Sequence, residues 1–384
     1  MDWRKLVNQE QMVQWRRYLH QHAEASFEEV ETTQYICDVL SQMPGIEIHR
    51  PAKTGVLAVL KGKKPGKTVA LRADIDALRM KEDSGESFCS LNPETMHACG
   101  HDVHTSMLLG AAAVLSSMQD ELCGTVKFIF QHAEEAFPGG AKDFVASGLL
   151  DDVDCVFGEH VVANTPIDRI CCWPGPTTAS PDQFTIVVKG KGSHGASPEE
   201  SIDPITIGAQ LVMALNTIVS RNISPLDNAV VTVAKFHAGS SFNIIAPTAE
   251  LSGTVRTNQP AIREFIKKRM NEIAEYTCKA HGADYELTYI DGYDAILNDP
   301  DHVEIVHRVA RNLYGEGHVV RIRSLMAGDD FAAYQKVAPV AFMTIGCGEN
   351  SHQAHHPKFH VDENMMTVGC EMYVGCTLEA LGCQ

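Results

Sequence analysis

No stretch of the 384-residue chain stays apolar for long. The longest mostly apolar run, Met107 to Leu115, falls far short of the roughly 18 residues that a membrane span requires, so neither a transmembrane helix nor a membrane partner is expected. The amino terminus, "MDWRKLVNQEQMVQWRR", also lacks the apolar core and small-residue cleavage site of a secretory signal, which predicts a cytoplasmic location. Positive charge is scarce. With 32 Lys and Arg against 49 Asp and Glu the formal charge is −17, and neutralising phosphates needs the opposite balance. Nucleic acids are therefore disfavoured as partners, and small molecules are expected instead. The 12 cysteines include a vicinal pair, Cys171 and Cys172, but no C-x-x-C and no compact even spacing. Such a pattern suits reduced core thiols better than a disulfide framework. Internal repeats and low-complexity tracts are missing too.

What the chain does have is length for more than one core, since single cores rarely grow beyond about 250–300 residues. Up to about residue 180, helical spacing alternates with short β-branched runs. Two helices are expected between Glu10 and Met43, then strands in "GVLAVLKG" and "KTVALRADIDAL". A helix in "TSMLLGAAAVLSSMQD", a strand in "GTVKFIFQHAEE", a helix in "GAKDFVASGLL" and a strand in "DCVFGEH" follow. Alternation of this kind predicts an α/β domain, a mainly parallel sheet with helices on both faces. From 181 to 295 the order changes to βαββαβ, which predicts an inserted ferredoxin-like (split βαβ) lid of four strands and two helices. Between 296 and 384 the α/β pattern resumes, so the first domain is expected to be discontinuous.

Acids and histidines collect at the carboxyl ends of the expected strands. "VALRADID" brings Asp74 and Asp76, "FIFQHAEE" brings Glu134 and Glu135, and "DCVFGEH" brings Glu159 and His160; "AFMTIG" precedes a histidine-rich run. That edge of an open α/β sheet is where ligands bind. "MHACGHDVHTS" enters beside them, with Asp102 or Thr105 able to cap the helix that follows. Taken singly, each motif has an ordinary explanation: adjacent acids are usually a solvated pair, and His355-His356 fits a polar loop. Taken together, Cys99, His101, Glu135, His160 and one of His352, His355 and His356 form a convergent set of thiolate, imidazole and carboxylate donors. Such a set suits zinc, with manganese, cobalt or nickel as weaker choices. Neighbouring strand residues point to opposite sides, so one of Glu134 and Glu135 is expected to bind metal and the other to handle protons. A metal lowers the pKa of bound water toward about 7, and a nearby carboxylate can take that proton and return it to a departing amine. The chemistry so predicted is metal-assisted amide hydrolysis.

Nearly the whole chain resembles the metal-dependent amidohydrolases and exopeptidases that include hippurate hydrolase, the auxin-conjugate hydrolases, aminoacylase and N-acetyldiaminopimelate deacetylase. The resemblance is carried, in order, by "RRYLHQHAEASFEE", "RADIDAL", "MHACGHDVHTSMLLGAA", "FIFQHAEE", "GEH", "GKGSHGASP", "FNIIAPTAELSGTVRT", "GDDFAAY" and "HHPKFHVDE". It implies a two-metal catalytic domain, a lid that often dimerises, and hence a homodimer or larger homo-oligomer. By position it implies Cys99 as bridging ligand, with His101, Glu135, His160 and His355 completing the site, and Glu134 as general base and acid. Asp76 matches an aspartate that orients a metal-bound histidine. His194, Asn243 and Arg256 match lid residues that contact substrate or the tetrahedral oxyanion, Arg256 being suited to grip a carboxylate bidentately. The implied reaction is hydrolysis of an N-acyl amino acid, with a dipeptidase or carboxypeptidase, or a binding protein on the same fold, as alternatives. Three positions depart from the pattern. Ala23, Arg79 and His132 stand where similar sequences have proline, and His132 is placed to touch the substrate or to alter Glu134.

Overall fold

The computed structural model describes residues Asp2 to Arg321 and Met326 to Cys383. Two compact units emerge, one of Met1–Thr177, Ile296–Arg323 and Asp330–Gln384, the other of Thr178–Ala295 and Ser324–Asp329. In chain order the first unit opens with α1 (Gln9–Gln21), α2 (Val30–Leu40), β1 (Ile46–His49), β2 (Val56–Lys61), β3 (Lys64–Asp74), α3 (His101–Ser117) and β4 (Cys123–Gln131). It continues through α4 (Ala141–Ala146), β5 (Cys155–Val162), β6 (Ile170–Cys171) and β7 (Gly175–Pro176). The second unit holds β8 (Ser180–Lys189), β9 (Ser193–His194), α5 (Pro204–Thr217), β10 (Ala229–Ala238), β11 (Ile244–Ile245), β12 (Thr248–Thr257), α6 (Pro260–Ala280) and β13 (Asp284–Ile290). β14 (Leu297–Asn298), α7 (Pro300–Tyr314), β15 (Val340–Gly346) and α8 (Met365–Leu381) return to the first.

The sheet of the first unit runs β1-β2-β4-β3-β5-β15-β6. Its centre, β4, β3, β5 and β15, is parallel, while β1, β2 and β6 pair antiparallel at the edges. Alternate residues of each strand feed two separate cores, as the period of two requires. Val69, Leu71 and Ala73 of β3 join Met107 and Leu108 of α3 and Met372 of α8 on one face, whereas Ala70 joins Phe144 of α4 and Phe331 on the other. Burial on both faces explains why these strands read as near-continuous apolar runs rather than as alternation. The order places β3 between β4 and β5, so the chain leaves β3 toward one neighbour and reaches the other later. A crevice at the carboxyl ends of these three strands is the consequence.

In the second unit β10-β12-β8-β13 form an antiparallel sheet, and Phe184, Ile186 and Val188 of β8 pack with Leu211 of α5 and Met270 of α6 in a core of their own. This is the split-βαβ lid. Ser324–Asp329 also groups with it, and the Ala179 amide donates to Ala327 O at 2.9 Å. Asp330–Lys336 forms a 3-10 helix. No disulfide joins the cysteines among the described residues, and no described helix is long and apolar enough to cross a membrane.

Candidate metal centre

The first turn of α3 is pressed against β5 by one glycine. Gly100 has φ +89°, and a Cβ there would meet Val161 Cγ2 at 2.7 Å, so both backbone conformation and space exclude a side chain. Neither Asp102 nor Thr105 caps this helix: Gly100 occupies the cap, Asp102 binds Arg16 and His20, and Thr105 donates to Asp74 O. The close approach brings Cys99 Sγ to 3.4 Å from His160 Nε2. His101 Nδ1 lies 2.9 Å from the Asp76 carbonyl and 3.2 Å from its carboxylate, and His160 Nδ1 lies 2.8 Å from Val161 O. A carbonyl oxygen only accepts, so each Nδ1 carries a proton, which leaves Nε2 as the nitrogen each ring can offer to a metal once that atom is deprotonated. Donor atoms of Cys99, His101 and His160 fall within 4.8 Å of one another.

A second triangle shares one corner with the first. Cys99, Glu135 and His355 also bring donor atoms within 4.8 Å of each other, with Glu135 Oε1 3.0 Å from His355 Nε2 and 4.0 Å from His101 Nε2. His355 takes φ +65° and is tied back by its own amide to Ala98 O at 2.8 Å. A carboxylate oxygen of buried Glu134 joins His101 and Glu135 in a third group. Strand alternation does not separate the two glutamates, as had been expected. β4 stops at Gln131, Ala133 swings into the left-handed region at φ +51°, and the Glu135 amide donates to Asp76 Oδ2 at 3.0 Å. Both carboxylates therefore come from a turn.

Behind the donors lies a fully buried polar layer. Arg72 reaches Asp74 at 2.7 Å, Gln131 at 2.8 Å and Asp330 at 3.0 Å. His104 Nδ1 lies 2.6 Å from Asp74, and its Nε2 accepts the Val161 amide at 3.0 Å. The i, i+3 spacing of His101 and His104 in "HDVH" was the available signal for this link, because it puts both rings on one side of α3. Burial alone would raise Asp74, but His101, Arg72 and His104 hold it well below the usual carboxylate range. Asp76 is likewise held down against burial by His101, Ser26 and the Glu135 amide. His101 responds the other way: burial would lower it, yet Asp74, Asp76 and Glu135 push it up to about 10. Burial, then the charges of Glu135, Glu134 and Asp74, drives the Cys99 thiol well above its ordinary value. The site is short of positive charge. His101 Nε2 and Glu135 Oε1 are buried and make no hydrogen bond among the described residues. Soft and hard donors with orphaned lone pairs, in an acidic setting that favours a cation, fit a divalent metal.

Other expected residues lie elsewhere. Glu159 follows the alternation of β5 away from His160: it is 1% exposed, neither carboxylate oxygen has a partner among the described residues, and burial pushes its acid well up. His132 does not accompany Glu134, because the turn at Ala133 breaks the strand face; its ring packs near Phe27 and Phe144 and lies 3.3 Å from Asp143. Arg79 pairs with exposed Glu28 at 2.5 Å. His352 and His356 stack on each other at 4.3 Å, leaving His355 as the histidine of that run that meets the donors. Within the lid, His194 and Asn243 adjoin, through the β9–β11 pairing and the Gly195 amide to Asn243 O at 2.8 Å. Arg256 sits at the far end of β12, where it pairs in register with Pro181, about 25 Å from the first residue of that strand at the usual rise. No carboxylate among the described residues pairs with its guanidinium, and burial lowers its pKa.

A mainly parallel sheet with a donor cluster at its carboxyl edge and an inserted lid is the build of a metal-dependent hydrolase. Residues 70–379 match the family described as Peptidase family M20/M25/M40, and the chain belongs to it; it is a metal-dependent amidohydrolase. It is 44% identical to N-acyl-L-amino acid amidohydrolase of Geobacillus stearothermophilus over 76% of this chain and 80% of that one. To N-acetylcysteine deacetylase of Bacillus subtilis it is 40% identical over 94% of both. Among solved structures, the Bacillus subtilis YXEP protein, a dinuclear metal binding peptidase from the M20 family, superposes with a TM-score of 0.87 at 36% identity, covering 98% of this chain and 99% of that one.

Proposed function

We propose that the protein hydrolyses the amide bond of N-acyl amino acids, releasing the free amino acid and a carboxylic acid. The observation that carries this reading is the pair of donor triangles meeting at Cys99, with the Glu134 carboxylate beside them. Cys99, His101 and His160 would hold one divalent ion, and Cys99, Glu135 and His355 a second, zinc being the best match to the donors and manganese, cobalt or nickel the alternatives. When bound, such ions make water acidic enough to ionise near neutrality and polarise the amide carbonyl. Glu134 takes the proton from the attacking water as the new C–O bond forms. It then delivers that proton to the nitrogen as the C–N bond breaks. Asp76 keeps His101 in its Nε2-ligating tautomer.

Of the lid residues, Arg256 offers the substrate carboxylate a guanidinium that pairs with no carboxylate among the described residues, and His194 with Asn243 forms a polar group suited to the oxyanion. The scissile carbonyl and the carboxylate of one N-acyl amino acid lie only a few bonds apart, far closer together than the length of β12 that separates Arg256 from the start of its strand. A homodimer through the lid, in which a second copy supplies whichever of the two the first cannot, accommodates both.

The test is a panel of N-acetyl, N-benzoyl and N-long-chain acyl amino acids beside dipeptides, with bound metal measured in parallel. Release of amino acid from at least one acyl class, abolished by a chelator, is expected. Turnover of dipeptides alone would transfer the reading to a peptidase, and no turnover at full metal content would sink it.

A further inference from the structure

Glu29 is fully buried, on no strand of the sheet, and absent from both donor triangles. A single oxygen, Oε1, accepts the amides of Phe27 at 2.9 Å and of Ala133 at 2.8 Å. Both residues adopt the left-handed backbone that side chains with a Cβ rarely enter, φ +67° for Phe27 and +51° for Ala133. Such conformations persist only where the surroundings enforce them. At Ala133 the enforcement has a purpose, because the next two residues are Glu134 and Glu135. A second buried carboxylate, Asp76, takes the Glu135 amide at 3.0 Å. The turn bearing both functional carboxylates thus hangs from two carboxyl groups, one of which also orients His101. The Glu29 main chain is itself held: its carbonyl accepts the Thr33 hydroxyl, whose oxygen in turn accepts the Gly55 amide at 2.9 Å.

We propose that Glu29 is a positioning residue for the reaction, whose carboxyl oxygen holds Ala133 in its left-handed conformation and so aims Glu134 and Glu135 at the metals. The inference rests on the roles given to those two glutamates above. What it requires of residue 29 is an acceptor oxygen at the full reach of a glutamate side chain, not a charge. Burial, then the charge of Asp76, pushes the Glu29 acid up to about 7 against the pull of backbone amides that include that of Ala133, so a neutral amide of the same length is a close substitute.

Three variants separate reach from charge. Glu29→Gln keeps reach and loses charge, Glu29→Asp keeps charge and loses reach, and Glu29→Ala loses both. Each is measured for kcat and KM on the best N-acyl substrate, and for the two metal affinities by titration of the apo-protein. Glu29→Gln is expected within about threefold of wild type throughout. Glu29→Asp and Glu29→Ala are expected to lose about 10–100-fold in kcat with KM nearly unchanged, and to bind the Glu135-side ion about 10-fold more weakly. Adding Ala133→Gly, which removes the steric bias against the turn, should not rescue them, because a glycine there is free to leave the left-handed region once Glu29 is gone. Wild-type kcat and metal affinity in Glu29→Asp would overturn the proposal, as would a Gln variant as impaired as Ala. If Glu29→Ala does not fold, the Asp and Gln variants decide alone. Should wild type hydrolyse no N-acyl amino acid, the functional reading fails while the metal titrations still test the positioning of Glu135.

Discussion

The two donor triangles share Cys99 but are built differently. Cys99, His101 and His160 form a floor: the first two are 8% and 1% exposed, and the rings of both histidines are held from behind by carbonyls. Glu135 and His355 form a rim: Glu135 stands two residues past left-handed Ala133, His355 is itself left-handed, and their side chains are 11% and 54% exposed. A floor of this kind is set by the folded core before any ion arrives, because moving a donor there means disturbing a buried hydrogen-bond network. A solvent-exposed rim donor such as His355 loses less when it is displaced. One face of the site should therefore depend on folding and the other on metal concentration.

The largest effect expected is on the proton path that both faces serve. Glu134→Gln should lower kcat by about 10³-fold while both ions stay bound, since general acid–base catalysis commonly contributes 10²–10⁴-fold. Near-normal turnover in that variant would remove Glu134 from the mechanism. Next comes the comparison itself. Cys99→Ala, touching both triangles, should cost both ions and lower the melting temperature of the metal-loaded protein, whereas His355→Ala should release one ion about 10–100-fold more readily. Metal content after gel filtration distinguishes them, and equal losses from both variants would erase the contrast between floor and rim.

A smaller effect concerns what lies under the floor. His20 contacts Asp102 at 2.9 Å and Glu82 at 3.0 Å; burial would lower it, but these acids raise it to about 9 against the opposing charge of Arg16. A histidine raised above its unfolded value stabilises fully below about pH 6.5, and that contribution is lost as pH rises through about 9, up to ~3 kcal/mol in all. Melting temperatures of wild type should thus fall between pH 6.5 and 9.5. His20→Gln, less stable overall, should show a flatter profile; identical slopes would assign the loss to other groups.

The candidate donors were legible in the sequence because their motifs carry chemistry in the residues themselves, and the structure brings Cys99, His101, Glu135, His160 and His355 together in groups that could hold a metal. The parallel sheet followed from the alternation of helices and strands up to about residue 180, and the lid from the change of element order after it. What escaped reading depends on contacts distant in sequence. Period-two alternation assigned opposite directions to Glu134 and Glu135, but the chain had already left the strand, through a left-handed Ala133 held by an oxygen 104 residues away. The same turn sent His132 to Asp143 instead of toward Glu134. Glu159 looked like one more acid at a strand end, and only the sheet's two-sided burial shows it committed to the core. The separation of Arg256 from His194 is a matter of strand register, which residue types do not record.

The most direct measurement is anomalous diffraction from crystals loaded with zinc or manganese. The account predicts two peaks bridged by Cys99 Sγ, one also bound by His101 and His160 and the other by Glu135 and His355. A single ion, or two ions that do not share Cys99, would contradict it.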